Sequence, residues 1–377
     1  MVIKSLKLCN YRNYENLFID LDEHLNIFIG DNAQGKSNLL ESVVVLAITK
    51  SYMNVKDKNL IKNGEDFTLL SAKVSFDGVI DELLVSFSEN VKKLKINNVE
   101  IKKYSDYISK IRFVLFSPYD VGIFKESPSV RRKLFNIEIS QLSNKYVKLL
   151  QKYNAILKKR NQFLKYVKET GKKDNLYLEI INNKFCSLAV DIVVARQKFV
   201  DDINKSLGSI YEEITDFSGL VLKYNSTIEY DIDKLKMKDL MLMRLKDNFE
   251  REVMYGMTFI GPHRDDYSLF LEEQDLSIYG SQGQNRLAIL ALKLSEISIF
   301  KEVTNEYPIL LLDDVFSELD VKKRNRIVKY ILNDVQTIIT TTDLNMIDDK
   351  IIKKARIFEI NSGNVVFDNK EEGMQSE

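Results

Sequence analysis

The 377-residue chain contains no tryptophan, two cysteines, two histidines and no long apolar run. Cys9 and Cys186 lie far apart and lack the spacing of metal ligands, which fits a reduced compartment. The longest apolar stretches, near residues 43–48 and 309–312, fall far short of the roughly 20 residues that a membrane helix needs. The first residues form a strand-like segment without the apolar run and cleavage site of a signal peptide. We therefore expect a soluble, cytoplasmic protein.

A net charge is also lacking, because 55 lysine and arginine residues balance 55 aspartate and glutamate residues. The chain as a whole has no electrostatic preference for nucleic acid, so any DNA contact must come from local basic clusters. For each cluster alone, a solvated helix face balanced by acids is the competing interpretation. The clusters that have the composition to neutralise backbone phosphates are Lys92-Lys93-Lys95, Lys102-Lys103, Arg131-Arg132-Lys133, Lys158-Lys159-Arg160 and Lys322-Lys323-Arg324-Arg326.

The pattern of apolar residues divides the chain into three zones. Residues 1–120 and 259–377 predict the two parts of one α/β domain, and residues 121–258 predict an inserted helical lobe whose helices break near residues 170–174. We expect a mixed sheet with flanking helices. The predicted strands are Val2–Leu8, Leu25–Ile29, Phe67–Phe76, Glu82–Ser88, Lys92–Ile96, Ile111–Phe116, Tyr307–Asp313 and Val335–Thr340, and the predicted helices outside the lobe are Ser37–Ile48, Ser281–Val303 and Val321–Leu332.

A phosphate-binding loop is predicted between the strand Leu25–Ile29 and the helix that follows it. The segment Gly30-Asp31-Asn32-Ala33-Gln34-Gly35-Lys36-Ser37 has the P-loop spacing of two glycines followed by lysine and serine. Backbone N–H groups of such a loop and the positive end of the next helix together bind phosphate. Lys36 should reach the β- and γ-phosphates of ATP, and Ser37 should place its hydroxyl on Mg²⁺.

Two acids end a second apolar strand. Asp313 and Asp314 follow the apolar run Ile309–Leu312, and ligands gather at the carboxyl ends of parallel strands. Asp313 should therefore face the Mg²⁺ of the phosphate loop, and Asp314 should orient the attacking water. Solvated carboxylates at the end of a strand are the competing interpretation, which burial of the strand makes less favourable.

The tetrapeptide Ser281-Gln282-Gly283-Gln284 gains meaning from its position about 30 residues before these acids. The order of phosphate loop, helical lobe, this tetrapeptide, the acidic strand and Ser317-Glu318-Leu319-Asp320 resembles an ABC-type ATPase head. Ser281, Gly283 and Gln284 then correspond to the signature motif, which binds the nucleotide of the opposite subunit, and Asp320 to the acid of the D-loop. One loop and one signature per chain imply a two-fold dimer with two ATP molecules at its interface.

Further segments, in family order and over essentially the full length, resemble the RecF family. By this resemblance Arg12 and Asn38 join the residues predicted to contact nucleotide. Two positions depart from the family pattern, because Tyr52-Met53 follow Ser51 where Ser-His-Arg is usual and Tyr119 replaces the glutamate of Ser-Pro-Glu-Asp. The segments that carry the resemblance are Leu8–Tyr14, Gly35–Ser42, Phe116–Asp120, Ser127–Arg132, Tyr153–Asn161, Gly261–Asp266 and Leu311–Asp320.

The resemblance implies ATP-dependent binding of double-stranded DNA and of single/double-strand junctions, with RecR and RecO as partners and loading of RecA as the outcome. We expect slow ATP hydrolysis, since Asp314 is shorter than the glutamate of fast ABC enzymes and would place the water poorly. The segment Gly261–Asp266 is open to either an internal structural role or nucleotide sensing.

Four competing functions follow from other interpretations of the same residues. A transport ATPase would carry a histidine at the switch position, where this chain has Thr340-Thr341-Thr342-Asp343. An SMC-type head would need longer arms than residues 128–255 provide, and an OLD-like nuclease would need a further domain where only 57 residues follow Asp320. A DNA-binding module that does not hydrolyse ATP stays open.

Overall fold

The computed structural model describes residues 1–53, 55–89, 91–108, 110–331 and 335–370, without the side chains at 318, 328, 329 and 331. The strands in chain order are β1 (Val2–Tyr11), β2 (Tyr14–Asp20), β3 (Leu25–Ile29), β4 (Phe67–Phe76), β5 (Val79–Ser88), β6 (Lys92–Ile96), β7 (Val99–Glu100), β8 (Phe113–Phe116), β9 (Leu220–Asn225), β10 (Asp266–Leu271), β11 (Gln274–Asp275), β12 (Ile309–Asp313), β13 (Thr337–Thr341), β14 (Arg356–Asn361) and β15 (Asn364–Asp368). The helices are α1 (Lys36–Ile48), α2 (Tyr104–Tyr107), α3 (Pro128–Leu142), α4 (Asn144–Thr170), α5 (Asn175–Thr215), α6 (Lys234–Asp247), α7 (Phe249–Tyr255), α8 (Leu276–Tyr279), α9 (Gln282–Thr304), α10 (Val321–Ile331) and α11 (Asp349–Ile352).

A largely parallel sheet aligns the strand ends that carry the predicted site. Its order is β15-β14-β3-β13-β12-β8, and only the β14–β15 pair is antiparallel. Every residue of β12 and β13 is buried, as expected of parallel strands covered on both faces. The register pairs Asp313 with Thr340 and Thr340 with Phe28. The loop after β3 and the acids after β12 therefore lie at the same edge of this sheet.

Helix α1 packs between this sheet and a second, antiparallel sheet of order β2-β1-β4-β5-β6-β7. It contacts β4 and β5 of the antiparallel sheet and β12 and β13 of the parallel sheet. Its residues from Leu39 to Ile48 are all buried, and a helix that is apolar all round belongs in a core. Burial on every side holds the start of α1, where Lys36 and Ser37 lie, against the strand ends.

The chain forms two compact units. The first comprises Met1–Gly122, Ser209–Ser218 and Gln282–Glu377, and the second comprises Ile123–Gly208 and Gly219–Ser281. The sequence places the changes of domain at residues 120 and 258, whereas residues 259–281 group with the second unit. Among the described residues, no helix is both long and apolar enough to span a bilayer.

The second unit is largely helical, in agreement with the predicted lobe, and also contains a small sheet of which only β9 lies within residues 121–258. Strands β9, β10 and β11 form a three-stranded antiparallel sheet within it. In β9 the buried Leu220 and Leu222 alternate with the exposed Val221 and Lys223, a period of two that is too short to stand out among helical repeats. The predicted break is present, because α4 ends at Thr170 and α5 begins at Asn175.

Most predicted elements of the first unit are present with small shifts at their ends. The strands Leu25–Ile29, Phe67–Phe76 and Lys92–Ile96 match the prediction, whereas β8 begins at Phe113 rather than at Ile111. Similarly, β12 begins two residues late, β13 covers Thr337–Thr341, and α9 begins at Gln282. Leu332, the predicted end of α10, lies outside the described residues.

Candidate functional site

The loop between β3 and α1 requires glycine at both of its motif positions. Gly30 has a φ of +156°, and a Cβ there would lie 2.3 Å from the carbonyl oxygen of Ile360. Gly35 has a φ of +114°, and a Cβ there would lie 2.4 Å from Asn13 Nδ2. At both positions the positive φ favours glycine, and a side chain would meet atoms that already pack against the loop. A tight loop therefore leads directly from β3 into α1, as the P-loop spacing predicts.

Neighbouring side chains brace the loop from one side. Asn13 Nδ2 donates to the Gln34 carbonyl at 2.9 Å, and the Tyr14 hydroxyl donates to the Gly35 carbonyl at 3.0 Å. Asn38 Nδ2 donates to Asn13 Oδ1 at 2.9 Å, so Asn38 supports the brace. By contrast, Asp31, Asn32 and Ala33 at the tip are exposed. A ligand can therefore reach the tip of the loop while the base of the loop is held.

Lys36 lies inside the loop that it belongs to. Its Nζ donates to the carbonyl oxygens of Gly30 and Asp31, each at 2.7 Å. Burial lowers the pKa of Lys36, and the carboxylates of Asp314, Asp313 and Asp31 partly offset that effect. A charged amine that bonds only neutral carbonyl groups in this loop is suited to exchange them for phosphate oxygens.

Asp313 joins the loop to the parallel sheet. Its Oδ1 accepts hydrogen bonds from Ser37 Oγ at 2.8 Å and from Thr340 Oγ1 at 2.7 Å, and its Oδ2 accepts one from the Tyr52 hydroxyl at 2.8 Å. Mg²⁺ prefers oxygen ligands and is typically bound by one or two protein groups together with waters and phosphates. The carboxylate of Asp313 and the hydroxyl of Ser37 fit that requirement.

Asp314 is held in an uncommon conformation beside this carboxylate. Its φ is +50°, and its N–H donates to Thr340 Oγ1 at 3.0 Å. Asp314 Oδ2 accepts from Ser317 Oγ at 3.1 Å, whereas Oδ1 is buried and, within the described part of the chain, accepts no hydrogen bond. Burial lowers the pKa of the Arg286 guanidinium, and the nearby carboxylate of Asp314 partly offsets that effect. An acceptor left over in a buried site is suited to hold a water molecule.

Tyr52 and Tyr119 are the residues of this site that sequence reasoning missed. Their rings meet edge to face, with centroids 6.0 Å apart. Burial, and then the charge of Asp313, raise the pKa of Tyr52, so its hydroxyl remains a donor. Both positions depart from the pattern of the family that the sequence resembles, and that departure is the one signal that pointed to them.

Comparison with known proteins assigns the chain to a family. The RecF/RecN/SMC N terminal domain family matches residues 2–364. A protein of Clostridium botulinum (strain Eklund 17B / Type B), named DNA replication and repair protein RecF, is 42% identical over 372 residues, which cover 97% of this chain and 100% of the relative. A protein of the same name from Staphylococcus carnosus is 38% identical over 369 residues, with the same coverage of both chains. This chain belongs to the RecF family.

Solved structures agree with this assignment. A structure of the recombination mediator protein RecF-ATP in the RecFOR pathway superimposes with a TM-score of 0.89 at 33% identity, covering 97% of this chain and 96% of that one. An Smc head bound to the C-winged helix domain of ScpA superimposes with a TM-score of 0.56 at 14% identity over all of both chains, which shows a common fold alone. The predicted ABC-type ATPase head fold of the RecF family is confirmed.

The residues predicted to form the signature motif lie at the surface. Ser281, Gln282, Gly283 and Gln284 are exposed at the start of α9, whereas Asn285 and Arg286 directly after them are buried. A Cβ at Gly283 would have no atom within 4 Å outside its own helix, so no contact with the described residues requires glycine there. Asp320 directly precedes α10, where its carboxylate accepts from the N–H and Nζ of Lys323, and Lys323 lowers the pKa of Asp320.

Arg12 pairs with a buried acid of α1. Its guanidinium donates to both carboxylate oxygens of Glu41, at 2.9 Å and 2.8 Å, and to the Asn59 carbonyl at 3.0 Å. Glu41 is fully buried and also accepts from the Tyr11 hydroxyl at 2.6 Å. The predicted contact of Arg12 with nucleotide stays a prediction, and the described role of this side chain is to neutralise a buried acid on α1.

The segment Gly261–Asp266 is built into the second unit. Asp265 is fully buried and accepts from the backbone and hydroxyl of Thr227, at 2.7 Å and 2.9 Å. His263 Nδ1 accepts from the Tyr153 hydroxyl at 2.7 Å, and its Nε2 bonds the Thr258 carbonyl at 3.0 Å. Burial lowers the pKa of His263 to about 4, so the ring is neutral. These contacts favour the internal structural role over nucleotide sensing.

Two residues of the predicted basic clusters are internal, which corrects their assignment to DNA. Arg131 is 8% exposed and pairs with both oxygens of Asp266 at 2.7 Å. Arg160 and Glu252 are both fully buried, and their ion pair measures 2.6 Å. Buried charges need such partners, and these arginines therefore stabilise the second unit. The outward residues Lys158 and Lys159 of the same clusters are exposed.

Proposed function

We propose that the chain is an ATP-dependent DNA-binding protein of recombinational repair and replication restart, with slow ATP hydrolysis as its release switch. The observation that carries the proposal is the hydrogen bond of 2.8 Å between Ser37 of the loop and Asp313 of β12. It supports the proposal because it joins the loop predicted to bind phosphate to the carboxylate predicted to bind the metal. The ATP-bound relative in the RecFOR pathway supports the choice of nucleotide.

The proposed reaction is hydrolysis of ATP to ADP and phosphate. Lys36 would bind the β- and γ-phosphates, and Ser37 and Asp313 would hold Mg²⁺. A bound Mg²⁺ supplies neutralisation of the charge that develops on the phosphate oxygens. Asp314 would accept a hydrogen bond from the attacking water, for which its buried Oδ1 is available within the described structure. The short Asp314 side chain supports a slow rate, because misplacement of the water costs orders of magnitude.

Two exposed motifs, the tip of the phosphate loop and the predicted signature segment, support a homodimer with ATP at its interface. The signature segment Ser281–Gln284 presents open space around Gly283, which suits close approach of another molecule. Ile278 and Tyr279, just before it, are each 70% exposed. Large apolar side chains at the surface are typical of an interaction site. ATP would favour the closed dimer by binding to both subunits, and hydrolysis would release it.

Contact with the DNA backbone is proposed for the second unit. Lys145, Lys148 and Lys152 of α4 and Lys198 of α5 line a groove of about 650 Å³. None of these four lysines has an ion pair among the described residues, and Asp191, an acid that lines the same groove, pairs with Lys234. Unpaired lysines neutralise phosphates without reading bases. Double-stranded DNA and single/double-strand junctions are the proposed substrates.

RecR and RecO are the proposed protein partners, and RecA loading is the proposed outcome. Support comes from the family and from the solved relative of the RecFOR pathway. A DNA-binding module that does not hydrolyse ATP is the second candidate, favoured by the short acid at Asp314. Phosphate release measured with and without duplex DNA separates the two, because only the ATPase releases phosphate and only a DNA-coupled switch responds to the duplex.

The proposed function is tested by two variants. Lys36→Met should abolish nucleotide binding, whereas Ser281→Arg should spare nucleotide binding and prevent ATP-dependent dimers. Nucleotide binding is measured with a fluorescent ATP analogue and mass by light scattering. Normal nucleotide binding by Lys36→Met would contradict the assignment of the loop. A turnover above about 10 s⁻¹, the median for enzymes, would contradict the slow switch.

A further inference from the structure

Tyr52 reaches the predicted metal site from beyond the far end of α1. Ser37 lies near the start of this helix, which ends at Ile48, yet the Tyr52 hydroxyl also contacts Asp313. Thr49 accounts for the reversal, because it caps α1 with a left-handed φ of +55°. The four residues after α1 therefore fold back toward the site instead of leading away from it.

Glu41 fixes this returning segment. Ser51 Oγ donates to Glu41 Oε1, and the N–H of Met53 donates to Ser51 Oγ at 2.9 Å. Glu41 is fully buried and is itself held by Tyr11 and Arg12. Side chains that are supported by their neighbours in this way hold a functional group in a defined position. Tyr52 is thus placed by a network and not by its own hydrogen bond alone.

The ring of Tyr52 is supported on its other side by Tyr119. The two rings meet at an angle of 73°, the edge-to-face arrangement that aromatic pairs prefer. Tyr119 belongs to a turn that is closed by Asp120, whose Oδ2 accepts from the N–H and hydroxyl of Ser117 at 2.8 Å each. The orientation of the Tyr52 phenol is therefore set from two sides, by the segment that follows α1 and by the turn at Ser117–Asp120.

With the Tyr52 hydroxyl bound, the Asp313 carboxylate keeps one acceptor position that no described residue fills. A carboxylate offers about four acceptor positions, two on each oxygen. Ser37 and Thr340 fill those of Oδ1, and Tyr52 fills one of Oδ2. Within the described part of the chain, one acceptor position of Oδ2 is left over, and the three donors together prevent the carboxylate from turning. The arrangement resembles the outer partners that orient metal ligands in metalloproteins.

We propose that Tyr52 is a positioning residue for the divalent cation, whose hydroxyl holds Asp313 so that one carboxylate position remains for Mg²⁺ or a water bound to it. The inference rests on the proposed function, because it concerns the cation that accompanies ATP. It adds to that function a residue outside the P-loop and the acidic strand. It also assigns a role to the two positions that depart from the family pattern.

The test measures how nucleotide binding depends on Mg²⁺ in Tyr52→Phe. Anisotropy of a fluorescent ATP analogue is recorded first in EDTA and then during a Mg²⁺ titration. Loss of an outer partner typically weakens metal binding about 10- to 100-fold, so the Mg²⁺ concentration for half-maximal effect should rise at least about tenfold. Binding in EDTA should be unchanged, since Tyr52 makes no contact with the phosphate loop among its described contacts.

Tyr104→Phe is the matched control. Its hydroxyl donates to the Ile48 carbonyl at 2.6 Å, at the end of the same helix, so the same atom is removed without touching Asp313. A Mg²⁺ requirement in Tyr52→Phe equal to that of the unmodified chain would overturn the inference, and so would an equal rise in Tyr104→Phe. Should Tyr52→Phe fail to fold, replacement of Tyr52 by 4-aminophenylalanine keeps a donor at the same place on the ring, and a Mg²⁺ requirement near that of the unmodified chain is then expected. A tenfold higher requirement in that variant would overturn the inference.

Failure of the proposed function has a different result. If the unmodified chain and Lys36→Met bind the ATP analogue equally, the loop is not the nucleotide site, whatever Tyr52 does. If the unmodified chain binds the analogue in a Mg²⁺-dependent manner and Tyr52→Phe does the same, only the role of Tyr52 is wrong.

Discussion

Ser37 Oγ donates a hydrogen bond of 2.8 Å to Asp313 Oδ1, although the two residues are 276 positions apart in the sequence. The contact forms because β3 and β12 are separated only by β13 in one parallel sheet, and Thr340 of β13 contacts the same oxygen. Chain segments from both ends of the sequence therefore complete one site.

Replacement of glycine by alanine should abolish nucleotide binding at Gly35 and leave it unchanged at Gly283. Gly35→Ala places a Cβ against Asn13 at a φ of +114°, so the loop must deform and nucleotide binding should be lost. Gly283→Ala meets no atom within 4 Å, so its melting temperature and nucleotide binding should match the unmodified chain, and only ATP-dependent dimers should weaken. Thermal melting and binding of a fluorescent ATP analogue check both. A large loss of melting temperature in Gly283→Ala would show that glycine there serves the fold.

Removal of Asp314's charge should separate binding from hydrolysis. Asp314→Asn keeps the shape of the side chain and an oxygen for Ser317, but a neutral amide accepts the water's hydrogen bond less strongly. Phosphate release should fall by about 10²-fold or more, as for loss of a group that acts in the transition state. Affinity for the ATP analogue should stay unchanged, and the ATP-dependent dimer should last longer. Unchanged phosphate release would assign the water to another residue.

Arg160 should contribute to the free energy of unfolding, whereas the exposed Lys158 and Lys159 beside it should not. Arg160→Ala leaves the buried carboxylate of Glu252 without its cation, a change that costs about 3–5 kcal/mol of the free energy of unfolding. The exposed Lys158 and Lys159 are the matched controls, whose replacement by alanine should change that free energy by less than about 0.5 kcal/mol. Urea unfolding measures the difference. In the double variant Arg160→Met with Glu252→Gln most of the loss should be recovered, and no recovery would contradict the charge argument.

His263 should make the second unit less stable in mild acid. Its pKa is about 4 in the folded chain and about 6.5 when unfolded. Above pH 6.5 the ring is neutral in both states. Between pH 6.5 and 4 only the unfolded chain takes up the proton, so the free energy of unfolding falls with decreasing pH, by at most about 3 kcal/mol.

The two histidines of the chain allow this dependence to be isolated. In His263→Gln the decline in unfolding free energy between pH 6.5 and 4 should be smaller, although the stability at neutral pH is lower. His24 is exposed, so His24→Gln should keep the full decline. Denaturant unfolding across this pH range measures both. Equal slopes in His263→Gln and the unmodified chain would contradict the assignment.

The phosphate loop, α1 and the acidic strand are local features, which is why they could be predicted from the sequence. The spacing of Gly30, Gly35 and Lys36 is itself the structural requirement, since the glycines are needed where backbone atoms approach. Likewise, the apolar residues directly before Asp313 are enough to predict a buried strand. Such features depend on residues next to each other in the chain.

Contacts between distant residues could not be predicted in this way. Tyr52 meets Asp313 only because Thr49 reverses the chain and Glu41 holds Ser51. Arg160 belongs to a basic run in the sequence, yet its partner Glu252 is 92 positions away and buries it. Strand β9 was missed because its few alternating residues are flanked by long helices. Burial and pairing decide these cases, and both depend on the complete fold.

The central claim is that the nucleotide bound at Lys36 and Ser37 of one copy is completed by Ser281–Gln284 of a second copy. Light scattering with Mg²⁺ and ATP, with duplex DNA present or absent, tests it most directly. The mass should change from one to two copies of the 43.8-kDa chain on adding ATP, and neither Lys36→Met nor Ser281→Arg should show the change. A dimer of Ser281→Arg that forms normally with ATP would contradict the account.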